Sequence, residues 1–164
     1  MATVYISLGS NIDRDALTRS GVAALRQHFG ELQLSSVYKS EAVGFEGADF
    51  YNMVIGLQTD EDVQTVYQTL RQIEDEHGRD RSGPRFSSRT LDLDLLLYDD
   101  LVLHEDKLEL PRDEILDRAF VLWPLAEIAP ELVHPLAKQS YRQLWDEFDK
   151  SLEVLEPIEF EFDI

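Results

Sequence analysis

The sequence predicts an α+β fold, a ferredoxin-like βαββαβ core with helices added at the C-terminal end. Three observations carry that prediction. Hydrophobic patterns of strand and helix type follow one another in the order strand, helix, strand, strand, helix, strand. Two further apolar segments, residues 121–128 and 141–148, read as helices appended to that core. No long linker, low-complexity block or repeat divides the 164 residues, so one domain over 1–164 is expected.

Residues 3–8 alternate as a first strand, and Gly9-Ser10-Asn11 reads as a turn. Asp13 or Asp15 is the expected cap of a helix running to about His28, with Leu17, Ala24 and Leu25 among its apolar positions. Residues 32–38 alternate as a second strand with Leu32, Leu34 and Val37 inward. Residues 41–49 hold two glycines and read as a loop; 50–57 resemble a third strand. Asp60 opens a second helix through about Glu76. Residues 78–88 are polar, rich in arginine and long for a connection, the composition of a functional lid. From Leu152 the tail has five acids, no basic residue and an interrupting Pro157, a late edge strand or a mobile end.

The fourth strand carries the chemistry. In Leu91-Asp92-Leu93-Asp94-Leu95 the side-chain period of two points both aspartates to one face and the leucines to the other. Carboxylates on an apolar strand are commonly paired or metal-bound, and two on one face offer the hard oxygen ligands magnesium prefers. A solvated edge strand is the simpler reading of such a pair alone. Beside it, Arg71, Arg79, Arg81, Arg85 and Arg89 gather five of the chain's 15 Lys and Arg within 19 positions. The chain carries 33 Asp and Glu and a formal charge of -18, which argues against nucleic acid as a partner. A local cationic cluster on so acidic a protein suits a small, highly charged anion, and the two features together indicate phosphoryl transfer.

Composition excludes other classes. Hydrophobic residues make up 43%, which fits a globular protein. No apolar run approaches the ~20 residues needed to cross a bilayer, and the first residues lack a secretion signal. Without cysteine there is neither a disulfide framework nor thiolate chemistry, and cytoplasm is the expected location. None of His28, His77, His104 and His134 has a second histidine at ligand spacing, so structural or surface roles are expected; His77 borders the arginine-rich loop. Trp123 and Trp145 read as packing residues.

Several motifs occur in a telling order: Gly9-Ser10-Asn11, Asn52, Glu74, Arg89-Thr90-Leu91-Asp92-Leu93-Asp94, Pro111, and Arg118-Ala119-Phe120-Val121-Leu122-Trp123-Pro124-Leu125. From about residue 3 to 148 the chain resembles the bacterial 6-hydroxymethyl-7,8-dihydropterin pyrophosphokinases. That resemblance implies transfer of pyrophosphate from ATP to the pterin hydroxymethyl oxygen, with release of AMP, in folate biosynthesis. It implies that Asp92 and Asp94 ligate two magnesium ions on the triphosphate of ATP, the co-substrate. Arg79 and Arg89 join them as catalytic residues; Glu74, Arg81, Arg89, Lys107, Arg112 and Arg118 fall at ATP-side positions. Phe50 and Phe120 would sandwich the pterin, Asn52 would bond its edge, and Ser40 and Val43 match further pterin contacts. The implied partners are these small molecules alone, with no nucleic acid, membrane or obligate protein partner.

The chain departs from the family in two places. Phe86-Ser87-Ser88 stands where the family commonly has Trp-Gly-Pro, and Arg112 stands where it usually has a histidine. Residues 113–116 replace a segment that is often more basic. These changes fall on the ATP side, and they leave two alternatives open: a divergent paralogue acting on a related pterin, or a non-catalytic pterin- or nucleotide-binding protein.

Overall fold

The computed structural model describes residues 1–40, 49–78, 91–105, 107–151 and 153–162. The element order is β1 (Ala2–Ser10), α1 (Arg14–Phe29), β2 (Leu32–Leu34), β3 (Val37–Ser40), β4 (Phe50–Thr59), α2 (Val63–Glu76) and β5 (Asp92–Tyr98). There follow β6 (Leu103–Glu105), β7 (Leu108–Leu110), α3 (Glu114–Asp117), α4 (Ala119–Ile128), α5 (Tyr141–Glu147) and β8 (Leu155–Ile158). The main sheet is antiparallel in the order β5-β1-β4-β3-β8, with β2 also on β4, and β6 and β7 form a separate hairpin. That is the ferredoxin-like core, with its second strand split in two and helices added after β5. Among the described residues no helix is long and apolar enough to cross a membrane.

Two apolar layers sandwich the sheet. On one face Val4, Ile6 and Leu8 of β1 meet Val22 and Leu25 of α1 and Val66, Leu70 and Ile73 of α2. On the other, Tyr5, Val54, Leu96 and Leu97 pack under Ile115, Val121, Leu122 and Leu125 of α3 and α4. Covering both faces explains why β4 is buried without interruption from Asn52 to Leu57. Gly21 lets α1 lie close on the sheet: a Cβ there would come within 3.1 Å of Leu8 and Leu91.

Several expected boundaries move. β1 continues through Gly9 and Ser10, which pair with Asn52 and Tyr51, so the expected turn begins later. Asp13 does precede α1, but with φ 47° and no side-chain cap bond. The cap of α2 is Asp62 rather than Asp60; its carboxylate accepts from Thr65 N at 2.8 Å, and that bond holds it below the usual carboxylate range. The second strand breaks at Ser35 and Ser36, because their polar groups leave the ladder's regular pattern. Ser35 Oγ accepts from Val54 N, and the Ser36 amide and hydroxyl donate to Glu127 of α4. The tail forms β8 on the open edge of β3. Pro157 is tolerated there because an edge strand can spare one ladder donor. Residues 41–48 and 79–90, the expected glycine loop and nearly all of the expected lid, lie outside the described residues.

His134, before α5, is buried, and its Nδ1 accepts from both Leu136 N (3.1 Å) and Ala137 N (3.0 Å). Both partners are donors, so Nδ1 must be unprotonated and the ring proton must sit on Nε2. Burial lowers its pKa below the ordinary value. The folded value is therefore below the unfolded one of about 6.5. The resulting stabilisation is complete above that pH and declines as pH falls toward the folded value. An NMR titration is expected to give His134 a pKa below 6.5 and the Nε2–H tautomer; an unshifted ring would refute this account.

Candidate active site

The site is built on the face of the sheet that carries α4. In β5 the leucines Leu91, Leu93 and Leu95 enter the core under α1 and α2, which turns Asp92 and Asp94 to the opposite face. Between Tyr5 and Ile6 of β1 the register with β5 slips by one: Tyr5 pairs with Leu97 and Ile6 with Leu95. This bulge resets the alternation, so Leu96 and Leu97 are both buried beyond it while the aspartates stay half-buried. Asp94 stands opposite Ser7, and Asp92 opposite Gly9.

Behind the pair sits Glu74, in the last turn of α2, with no solvent exposure. Its Oε1 accepts from Arg71 Nη1 at 2.7 Å, and its Oε2 accepts from the Leu93 backbone N–H at 2.7 Å. The helix end is thereby fastened to the residue between the two aspartates. Burial pushes the Glu74 carboxyl above its usual range, and the charge of Asp92 adds to this, against the Leu93 N–H and Arg71. Asp94 is likewise pushed well above the usual carboxylate range, first by burial and then by the charge of Asp92.

Arg112 reaches the pair from the segment after β7. Its backbone N–H donates to Leu96 O at 3.1 Å, which anchors it beside β5. Its Nη2 lies 3.6 Å from Asp94 Oδ1, while its Nε and Nη2 meet Glu114 Oε1 at 2.8 and 2.7 Å. The guanidinium is thus shared between the site and Glu114. Four carboxylates (Glu74, Asp92, Asp94 and Glu114) stand with two guanidiniums (Arg71 and Arg112), a formal excess of two negative charges among these groups.

The neighbouring strands supply a polar slot. Gly9 pairs with Asn52 of β4, and Asn52 with Tyr38 of β3, so Asp92, Gly9, Asn52 and Tyr38 form one row across the sheet. Asn52 Nδ2 donates to Ser40 Oγ at 2.6 Å, and both residues are buried. A Cβ at Gly9 would stand 3.2 Å from Asn52 Oδ1 and 3.9 Å from the Phe50 ring. The missing side chain therefore leaves room over the row for the amide and for a ligand edge. Phe50 opens β4 and Phe120 lies in the first turn of α4, both half-buried. Tyr38 closes the row by donating to Glu127 at 2.6 Å, and its ring lies 4.9 Å from Trp123.

The sequence-predicted residues divide clearly. Asp92, Asp94, Arg112, Gly9, Asn52 and Ser40 are brought to one face, with Phe50 on the same strand as Asn52. Arg118 is the residue before α4 and is half-buried. Lys107 is exposed at the β6–β7 turn, whose Glu105 bonds Gln64 at the start of α2. Gln64 is ten residues from Glu74, about 15 Å along the helix. Lys107 therefore stands at the hairpin turn, away from the carboxylates. Glu74 is fully enclosed, with its carboxyl next to that of Asp92. Arg71, counted in the cationic cluster, is committed to Glu74. Val43, Arg79, Arg81 and Arg89, with Arg85 and the Phe86-Ser87-Ser88 departure, lie outside the described residues. Sequence reasoning missed Glu114 as the partner of Arg112 and Gly9 as a spacer. The Arg71–Glu74 pair had a legible signal, opposite charges three apart on a helix.

Each histidine has a structural partner. His77 lies between Ile73 O and Ser20 Oγ, both at 2.7 Å, while His28 meets Glu61 and His104 meets Glu109.

Comparison with known proteins agrees with this geometry. The family described as 7,8-dihydro-6-hydroxymethylpterin-pyrophosphokinase (HPPK) matches residues 5–130. The 2-amino-4-hydroxy-6-hydroxymethyldihydropteridine pyrophosphokinase of Aquifex aeolicus is 33% identical over 145 residues, covering 87% of this chain and 90% of its own. That of Bacillus subtilis is 39% identical over 132 residues, covering 78% of each. Among solved structures, Plasmodium falciparum HPPK-DHPS with pteroate superposes with a TM-score of 0.70 at 14% identity, a likeness of fold. The match covers 89% of this chain and 42% of that longer one. With its carboxylate pair, its Asn52 slot and these relatives, the chain belongs to the 7,8-dihydro-6-hydroxymethylpterin-pyrophosphokinase family.

Proposed function

We propose that the chain transfers the terminal diphosphate of ATP to the hydroxymethyl oxygen of 6-hydroxymethyl-7,8-dihydropterin, in folate biosynthesis. The observation that carries this reading is the row of Asp92, Gly9 and Asn52 on three adjacent strands. With strands about 4.8 Å apart, the carboxylate pair and the amide stand about 10 Å apart, the scale of a pterin ring with its arm. In the reaction the hydroxymethyl oxygen bonds to the β-phosphorus. The bond from that phosphorus to the oxygen bridging it to the α-phosphate breaks, AMP leaves with the bonding electrons, and the hydroxyl proton is released.

Asp92 and Asp94 fit magnesium carried in on the triphosphate. Among the described residues no three His, Cys, Asp or Glu side chains are grouped to hold a metal. Magnesium commonly takes only one or two carboxylates, with phosphate and water completing its shell. The Asp94 carboxyl, raised by burial and by the charge of Asp92, favours a divalent cation at this position. When bound, magnesium neutralises negative charge around the attacked phosphorus.

The chain's own residues bind and orient. Asn52, fixed by Ser40, offers Oδ1 to an N–H at the pterin edge, and Phe50 and Phe120 enclose the ring. Arg112 and Arg118 contact phosphate, together with Arg79, Arg81 and Arg89 from the segment after α2. Arginine at position 112 keeps the positive charge of the family's usual histidine and adds a forked donor set. Glu74 acts from behind: by accepting the Leu93 N–H it fixes the register in which both aspartates face the nucleotide. Much of such a step is positioning and electrostatics, so no dedicated base is required.

AMP formation from ATP and 6-hydroxymethyl-7,8-dihydropterin tests the proposal. Magnesium-dependent AMP with matching pterin diphosphate is expected; ATP turnover without pterin diphosphate, or no turnover, would reject it. Asp92→Ala and Asp94→Ala should each lower the rate by about a hundred-fold or more, with the circular dichroism spectrum unchanged. Glu74→Ala leaves Arg71 without its buried partner and the Leu93 N–H unmet. Urea unfolding should show a loss of about 3–5 kcal/mol.

A further inference from the structure

The segment after residue 150 lies beyond the family match, which ends at residue 130. It nevertheless touches both walls of the slot described above. Glu153 Oε2 accepts from the Ala119 backbone N–H at 3.0 Å. Ala119 is the first residue of α4, and Arg118 before it makes no side-chain cap bond. Glu153 therefore caps α4 from a distance, meeting an N–H that the helix itself leaves unpaired and placing negative charge at the positive end of its dipole. The next residue of that helix is Phe120.

Two residues later the same segment enters the sheet. β8 pairs with β3 along its whole length, with Leu155 opposite Ser40 and Glu156 opposite Lys39, whose charges lie 3.5 Å apart. Ser40 is the acceptor that orients Asn52. Further on, Phe160 packs edge-on against Tyr51 at 5.9 Å and under Arg19, and Arg19 Nε donates to Glu161 O at 2.9 Å. The segment is thus fastened at both ends. Between the anchors it spans from the start of α4 to the outer edge of β3.

We propose that the C-terminal segment is a clamp for the pterin slot and that Glu153 is its positioning residue. It sets the distance between the wall carrying Phe120 and the wall carrying Ser40 and Asn52, without touching the substrate. The inference rests on the pterin reading of that slot, and it deepens that reading by adding a residue outside the family's shared region. The clamp acts first on the pterin, because Asp92, Asp94 and Arg112 are held from the other side of the slot by α2, β1 and Glu114; Arg118, next to the capped Ala119, is the phosphate-side residue nearest to it.

The test measures binding of 6-hydroxymethylpterin by its fluorescence, with magnesium and the non-transferable α,β-methylene analogue AMPCPP present, in the unaltered protein, Glu153→Ala and Glu153→Gln. AMPCPP affinity and melting temperature are measured alongside. Glu153→Ala should weaken pterin binding about five-fold, the effect of one lost cap, with a smaller change in AMPCPP affinity. Glu153→Gln, whose amide oxygen still accepts from Ala119, should recover most of the loss. Unaltered pterin affinity in Glu153→Ala would overturn the clamp. So would equal losses of pterin and AMPCPP affinity with a lower melting temperature, which would mark a purely structural role. Absence of pterin binding by the unaltered protein would overturn the slot assignment and the clamp with it.

Discussion

The enclosed carboxylate of Glu74 is the interaction on which the site depends. Removing a carboxylate from water costs several kcal/mol, and among the described residues the Arg71 guanidinium and the Leu93 backbone N–H offset that cost. The second bond is the consequential one. It joins the end of α2 to the residue between Asp92 and Asp94, so the helix position and the strand register are set together. A slip of one residue in β5 would turn both aspartates into the leucine core and Leu93 out of it, and it would break this bond.

From that constraint the division of labour between the two faces of the sheet follows. Under α1 and α2 the surface is mainly apolar and supplies stability, with Glu74 and Thr18 as buried polar exceptions. Under α4 the end of the sheet near Asp92 is polar: Gly9 leaves space, Asn52 and Ser40 present oriented groups, and the aspartates collect negative charge. Each of these groups is fixed by something other than a ligand. Asn52 is held by Ser40, Arg112 by Glu114 and Leu96, and Tyr38 by Glu127. Such preorganisation lets a phosphoryl-transfer site work through position and charge.

The sequence made the periodic parts legible. The Leu91–Leu95 alternation disclosed the strand and the facing of its acids, and the α1 and α2 patterns disclosed their helices. What it concealed was set by side chains bonding across long separations. The break at Ser35 and Ser36 exists because Glu127, some ninety residues away, takes the Ser36 amide. β6, β7 and α3 are only three or four residues long, too short for any period to register. Asp60 and Asp62 are equivalent in composition, and only the geometry at Thr65 chooses between them. Of the site, the aspartates, Asn52, Ser40 and Arg112 were legible. The enclosure of Glu74, the remoteness of Lys107 and the pairing of Arg112 with Glu114 were not, because each depends on where a helix or hairpin ends in space.

A crystal structure with magnesium, AMPCPP and 6-hydroxymethylpterin tests the central claim most directly. The account predicts magnesium on Asp92 and Asp94, the pterin edge on Asn52, and Glu74 still bonded to Leu93 N–H behind them. Metal held elsewhere, or Glu74 released from Leu93 to coordinate it, would contradict the account.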